Sequence, residues 1–183
     1  MAISTPDSEL LLQFRDPLQK ETAFTTIVKK YQEKLYWHIR RMVIDHDDAN
    51  DVLQNVFIRV WNGLENFRED SQLYTWLYRI ATNECLTFLE QKKKRASVSF
   101  NDVEETLSNR IKADKHFDPN KLEWKLQVAI QQLPEKQRIV FNLRYYDEMP
   151  YEEMSRVLET SEGALKASYH HAVKKIEDYI LNH

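Results

Sequence analysis

From Gln19 to Val43 apolar side chains return every three or four positions, at Phe24, Ile27, Val28, Tyr31, Leu35 and Ile39, which predicts a long amphipathic helix. A shorter apolar segment, Leu10 to Phe14, precedes it and is broken at Asp16-Pro17. The polar stretch Asp45 to Asp48 ends the long helix. Asp47 or Asp48 is placed to cap the next one, which runs to about Asn62 with Gly63 as its terminator. Ala49, Leu53, Val56, Phe57 and Val60 form its core stripe. Asp48, Asp51, Asn55 and Asn62 point the other way, with Gln54 at the margin and Ile58 among them. An isoleucine ringed by acids and amides suits a partner-binding face. A solvated face with one stray apolar residue is the plainer reading of the same pattern.

The stretch Phe67 to Arg95, FREDSQLYTWLYRIATNECLTFLEQKKKR, opens as a charged loop, enters an aromatic-rich helix and leaves through a basic run. No Pro or Gly interrupts Ser71 to about Gln91, and Leu73, Leu77, Ile80, Ala81 and Phe88 form one stripe that should be core. Gln72, Thr75, Arg79 and Asn83 fall on the far side, with Trp76 at their edge. Amides, a guanidinium and an indole on one strip suit hydrogen bonding to bases and stacking on unpaired ones. An ordinary amphipathic helix with half-buried aromatics would show the same periodicity.

Periodicity fades after Lys92-Lys93-Lys94-Arg95. Residues 96 to 120 read as a linker, made acidic by Asp102, Glu104, Glu105, Asp114 and Asp118. Helical patterning resumes at Leu122 to Leu133 and again from Pro134-Glu135 to about Tyr146. Asp147 to Pro150 makes a turn, and Tyr151 to Leu158 a short helix. After Glu159-Thr160-Ser161, Ser161 caps a final helix from Glu162 to about Leu181. A short helix, a tight turn and a longer helix spell a helix-turn-helix, the motif that places its second helix in a DNA groove. In that second helix Leu165, Tyr169, Ala172 and Ile176 face inward. Gly163, Lys166, Ala167, His170 and Lys174 project outward, with His171 nearby. The alternative is a helical hairpin in a bundle that binds nothing.

Composition narrows the class. Two glycines and five prolines in 183 residues argue for an all-helical chain. The net charge of −3 means that nucleic-acid binding would have to come from local basic patches. One cysteine, Cys85, fits a reducing cytosol, and no apolar run approaches the length of a membrane span. No catalytic constellation and no metal or cofactor site is expected. Cys85 has no partner at a motif spacing, and the adjacent His170 and His171 diverge on a helix. His38, His46, His116 and His183 form no ligand spacing, and the glycines are too few for a phosphate loop.

Three segments together carry a resemblance: DDANDVLQNVFIRVW at Asp47 to Trp61, FREDSQLYTWLYRIATNECLTFL at Phe67 to Leu89, and LPEKQRIVFNLRYYDEMPYEEMSRVLETSEGALKASYHHAVKKI at Leu133 to Ile176. In this order and spacing the chain resembles an RNA polymerase sigma factor of the extracytoplasmic-function (ECF) group, from about Leu10 to Ile180. The resemblance implies an all-α chain of two helical domains joined by a flexible acidic linker. These are a region 2 bundle over residues 1–95, the linker over 96–120, and a region 4 helix-turn-helix over 121–183.

It also implies roles. Asp48, Asp51, Gln54 and Ile58 would contact the β′ clamp helices of core RNA polymerase, which also offers its β subunit as partner. Phe67, Arg68, Ser71, Tyr74, Trp76, Arg79 and Asn83 would capture a flipped base of the −10 element, and Lys92, Lys93, Lys94 and Arg95 would hold backbone phosphates. Ser161, Glu162, Gly163, Lys166, Ala167, His170, His171 and Lys174 would face the −35 element of promoter DNA. The family implies a cytoplasmic protein with an anti-sigma factor as further partner and no membrane insertion. One departure stands out: many members carry arginine near Ser168 and in place of His171, so this reading helix holds less fixed positive charge. The competing function is a stand-alone dimeric helix-turn-helix regulator. A helical adaptor binding only protein would leave the basic run and the last helix without a role.

Overall fold

The computed structural model describes residues 5–96 and 122–183, which form eight α-helices and one short 3-10 turn, with no strand among the described residues. The linker expected over 96–120 lies, beyond Ala96, outside the described residues. The chain divides into two compact units, Met1–Phe88 and Leu89–His183, and the division falls within one helix.

The first unit is built from α1 (Asp7–Arg15), α2 (Lys20–Val43), α3 (His46–Gly63), the 3-10 turn Leu64–Asn66 and most of α4 (Leu73–Ala96). Helix α1 buries Leu10, Leu11 and Phe14, each contributing about 1.5–3 kcal/mol by removal from water. Lys30 Nζ anchors its start, reaching the Thr5 carbonyl at 3.1 Å and Asp7 Oδ1 at 2.8 Å, while the Tyr31 hydroxyl donates to Asp7 Oδ2 at 2.6 Å. Ile44, at φ 66°, closes α2 by donating its N–H to the Arg40 carbonyl. The cap of α3 is then Asp45, whose carboxylate accepts from the N–H groups of Asp47 and Asp48, instead of either of those residues. A cap one turn inward would have to break the first helical turn that Asp45 already satisfies.

Helix α4 differs most from its expected facing. Leu73, Leu77 and Ala81 are buried, but so are Thr75, Tyr78, Thr82 and Cys85. The reason is that α4 is flanked on two sides. His38 of α2 packs on Tyr78 and its Nε2 lies 2.9 Å from Thr82 Oγ1, while Arg59 of α3 pairs with Glu84 and Gly63 of α3 receives the Trp76 ring. Thr75, at 2% exposure, therefore leaves the solvent strip on which the pattern had put it.

The second unit contains α5 (Leu122–Gln131), α6 (Glu135–Tyr145), α7 (Tyr151–Leu158) and α8 (Glu162–Asn182). Ala129, Ile130, Leu133, Phe141, Ala172 and Ile176 make its core, with Tyr169 and Val173 packed at the margin. Helix α7 ends on Glu159 in the left-handed conformation, φ 51° and ψ 41°, and Ser161 Oγ accepts from the Ala164 N–H to start α8. These two residues set the turn between the helices.

Candidate polymerase and promoter interface

On α3, Asp51, Gln54 and Ile58 are exposed and Asp48 is half-exposed. Ile58 is 53% accessible, so an apolar side chain stands in water one turn from the Gln54 amide, with the carboxylates of Asp51 and Asp48 farther back along the same helix. This face can offer hydrogen-bond acceptors around an apolar centre, the make-up of an interface core with a polar rim.

The loop between the 3-10 turn and α4 is the second element. Phe67, its first residue, donates its N–H to the Leu64 carbonyl at 3.2 Å and turns its ring inward. Its side chain was expected at the nucleic acid; it is buried instead, with its ring 5.0 Å from that of Trp76. Phe67 thus forms the floor on which the half-exposed indole rests. Arg68 is exposed, and Ser71 and Tyr74 are half-exposed. From the loop a strip of Gln72, Trp76, Arg79 and Asn83 runs up α4 at i, i+4, i+7 and i+11, all at least partly exposed. At 1.5 Å per residue it spans roughly 16 Å. An amide, an indole, a guanidinium and a second amide in line can stack on and hydrogen-bond successive unpaired bases.

Lys92, Lys94 and Arg95 at the end of α4 are exposed, whereas Lys93 is partly covered and pairs with Glu135 at 3.1 Å. In α8, Ser161, Glu162, Gly163, Lys166, Ala167, His170, His171 and Lys174 are all exposed. From Gly163 to Ile176 this helix carries three lysines, two histidines and no carboxylate, so beyond the Glu162–Lys166 pair at its start it presents an anion-attracting surface. The structure adds a feature that spacing alone did not reveal. Lys166 stands 5.6 Å over the Tyr151 ring and 3.7 Å from Glu162, and Arg144 covers the same ring at 5.1 Å. Tyr151 and Arg144 thereby help to place a lysine of the next helix. The neighbouring Tyr169 hydroxyl is pushed to a higher pKa, mainly by burial.

Two family models match the chain in turn: Sigma-70 region 2 over residues 27–95 and Sigma-70 region 4 over residues 123–176. The RNA polymerase sigma-H factor of Pseudomonas aeruginosa is 33% identical over 85% of this chain and 84% of its own. The ECF RNA polymerase sigma-E factor of Escherichia coli is 30% identical over 87% of each chain. This chain belongs to the ECF sigma factors of RNA polymerase. Two solved structures share its fold. One is CnrH, in complex with the cytosolic domain of CnrY, with a TM-score of 0.68 and 21% identity over 94% of this chain and 95% of that one. The other is the sigma factor RpoE of Bartonella quintana, in complex with the anti-sigma factor NepR, with a TM-score of 0.68 and 17% identity over 86% and 96%. This sigma factor is a transcription initiation factor, and its two domains are of the kinds that bind core RNA polymerase and promoter DNA. The stand-alone regulator is not favoured, because both halves match sigma regions in sequence order. No helix among the described residues is long and apolar enough to cross a membrane, and they hold no cluster of potential metal ligands.

Proposed function

We infer that residues 1–95 dock on core polymerase and open the −10 element, that 96–120 link, and that 121–183 read the −35 element. The α3 face of Asp48, Asp51, Gln54 and Ile58 meets the β′ clamp helices. Ser71, Tyr74, Trp76, Arg79 and Asn83, with Arg68 at the loop, capture an extruded base, while Phe67 supports Trp76 from beneath. Flipping a base costs a few kcal/mol, which stacking at about 1–3 kcal/mol per base can offset. Lys92, Lys94 and Arg95 hold backbone phosphates, and Lys93 does so after exchanging Glu135. In α8, Lys166 and Lys174 take phosphates as Gly163 and Ala167 let the helix approach the groove. The protein acts in the cytoplasm, carries out no catalysis of its own, and is held in check by an anti-sigma factor.

The observation that carries this reading is the strip of exposed Gln72, Arg79 and Asn83 with half-exposed Trp76, polar and aromatic on a helix otherwise packed from two sides. The test is co-elution with bacterial core polymerase followed by transcription from genomic fragments. Asp51→Lys should weaken co-elution without altering the thermal midpoint. Asn83→Ala should leave co-elution intact and impair promoter opening. Loss of core binding on Asn83→Ala, or an unchanged affinity with Asp51→Lys, would refute the corresponding face.

A further inference from the structure

One contact joins the N-terminal helix to the loop that precedes α4 across 54 positions of sequence. Arg15, the last residue of α1, sends Nη2 to the Phe67 carbonyl at 3.3 Å and to Glu69 Oε1 at 3.0 Å. Glu69 is the loop residue with φ 60°, a left-handed backbone that non-glycine residues adopt rarely and at a cost. Its carboxylate is therefore held at the point where the loop is least able to hold itself. The Phe67 carbonyl lies where the loop leaves the 3-10 turn, and the Phe67 ring supports Trp76. One guanidinium thus grips both the entry of the loop and its strained residue, with two of its fixed donors available for two acceptors. Helix α1 is a firm base for the grip, since Leu10, Leu11 and Phe14 bury it and Lys30 and Tyr31 fasten Asp7.

We propose that Arg15 is a positioning residue for −10 recognition, holding the loop Phe67–Gln72 in the shape that receives an unpaired base. The proposal rests on the reading of that loop given above. Arg15 touches no nucleic acid; it acts through Glu69 and the Phe67 carbonyl. Both charged groups are about half-exposed, 43% and 45% for the side chains, so their pairing adds little to global stability. The consequence falls on loop geometry. Arg15→Ala frees the carboxylate and lets Glu69 leave the left-handed region, which changes the path of the loop from Phe67 to Ser71.

The test uses the full chain bound to core polymerase and, as probe, single-stranded DNA randomised over six positions. Bound pools are sequenced to give base enrichment, and affinity is measured for a selected strand and for the unselected pool. Arg15→Ala and Glu69→Ala should each lower affinity for the selected strand roughly fivefold and flatten enrichment at one position, as expected for loss of a charge-assisted hydrogen bond. Affinity for the unselected pool should hold, and the double variant should be no worse than either single one. Arg15→Lys, which can satisfy one acceptor at a time, should recover part of the preference. If Arg15→Ala fails to co-elute with core polymerase, Glu69→Ala carries the test, since it leaves α1 untouched. Wild-type enrichment in both variants, with Ser71→Ala or Asn83→Ala flattening it, overturns the role of Arg15 and leaves the loop reading standing. Wild-type enrichment in all four overturns the loop reading, and this proposal with it.

Discussion

Gly63→Ala separates the position of Trp76 from the stability of the fold. Gly63 ends α3 at φ −99° and ψ −19°, a backbone that alanine adopts without strain. A Cβ added there would lie 3.2 Å from Trp76 Cζ2 and 3.4 Å from Cη2. The first distance is tighter than ordinary packing, so the ring must give by a few tenths of an ångström. Replacing glycine in a helix gains about 0.5–1 kcal/mol. Pushing a side chain off its preferred rotamer costs of the order of 0.5–1.5 kcal/mol. The two nearly cancel, and the thermal midpoint should stay within about 3 °C, given roughly 4–8 °C per kcal/mol for a unit of this size. The displaced indole, however, moves on its Phe67 floor and stacks less well on a base. Since such stacking is worth about 1–3 kcal/mol, affinity of the holoenzyme for a selected −10 strand should fall roughly three- to tenfold. Thermal melting and strand binding are measured on the same preparation. A midpoint lowered by about 8 °C or more with strand affinity unchanged would make Trp76 a packing residue and refute the reasoning.

Other outcomes follow from buried groups and from α8. Burial, with Glu84 second, pushes the Cys85 thiol well above its ordinary 9.0. The folded form therefore binds the proton more tightly, and its stability should be intact below pH 9.0 and decline as pH rises beyond it, by about 1.4 kcal/mol per unit at most. Urea unfolding of Cys85→Ala should show a shallower slope between pH 9 and 10, and an identical slope would contradict this origin. Tyr31, raised from 10.0 by burial and then by the Asp7 carboxylate, adds a second decline above that pH. Asn142 is 1% exposed, and neither its Oδ1 nor its Nδ2 has a hydrogen-bond partner among the described residues. Asn142→Leu, similar in branching, should stabilise the second unit by about 1 kcal/mol, and a lowered midpoint would mean that the amide is satisfied. Finally, His170 and His171 are exposed on the reading helix with rings 6.0 Å apart. Placing a fixed positive charge there with His171→Arg should tighten promoter binding, and an unchanged affinity would rule out a phosphate contact at that position.

The helical pattern was readable wherever one face alone is buried. In α8, Leu165, Ala172 and Ile176 face inward and the lysines outward, as a period of 3.6 dictates. It misled where a helix is flanked twice: Thr75 of α4 is buried where the pattern put it in solvent, because α2 and α3 both press on the helix and a single stripe cannot encode two neighbours. Phe67 was legible as an aromatic at the loop entry, but its inward rotamer depends on Trp76 and the 3-10 turn. Gly63 was singled out correctly for another reason. It does not end α3 with a positive φ; it makes room for the Trp76 ring. The link from Arg15 to Glu69 had no local signal, because the two are joined only by the packing of α1.

The division of labour within α8 bears on how such a protein can diverge. Its packing rests chiefly on Leu165, Ala172 and Ile176 and its start on the Ser161 cap, while Glu162, Gly163 and Ala164, and then Lys166, Ala167, His170 and His171, all stand in solvent. With α8 reading promoter DNA as proposed, substitutions on the outer set would change what it recognises at almost no cost to the scaffold, because exposed positions away from caps typically shift stability by less than about 0.5 kcal/mol. Duplicated copies of the gene can therefore drift toward separate promoters one residue at a time, each intermediate remaining folded.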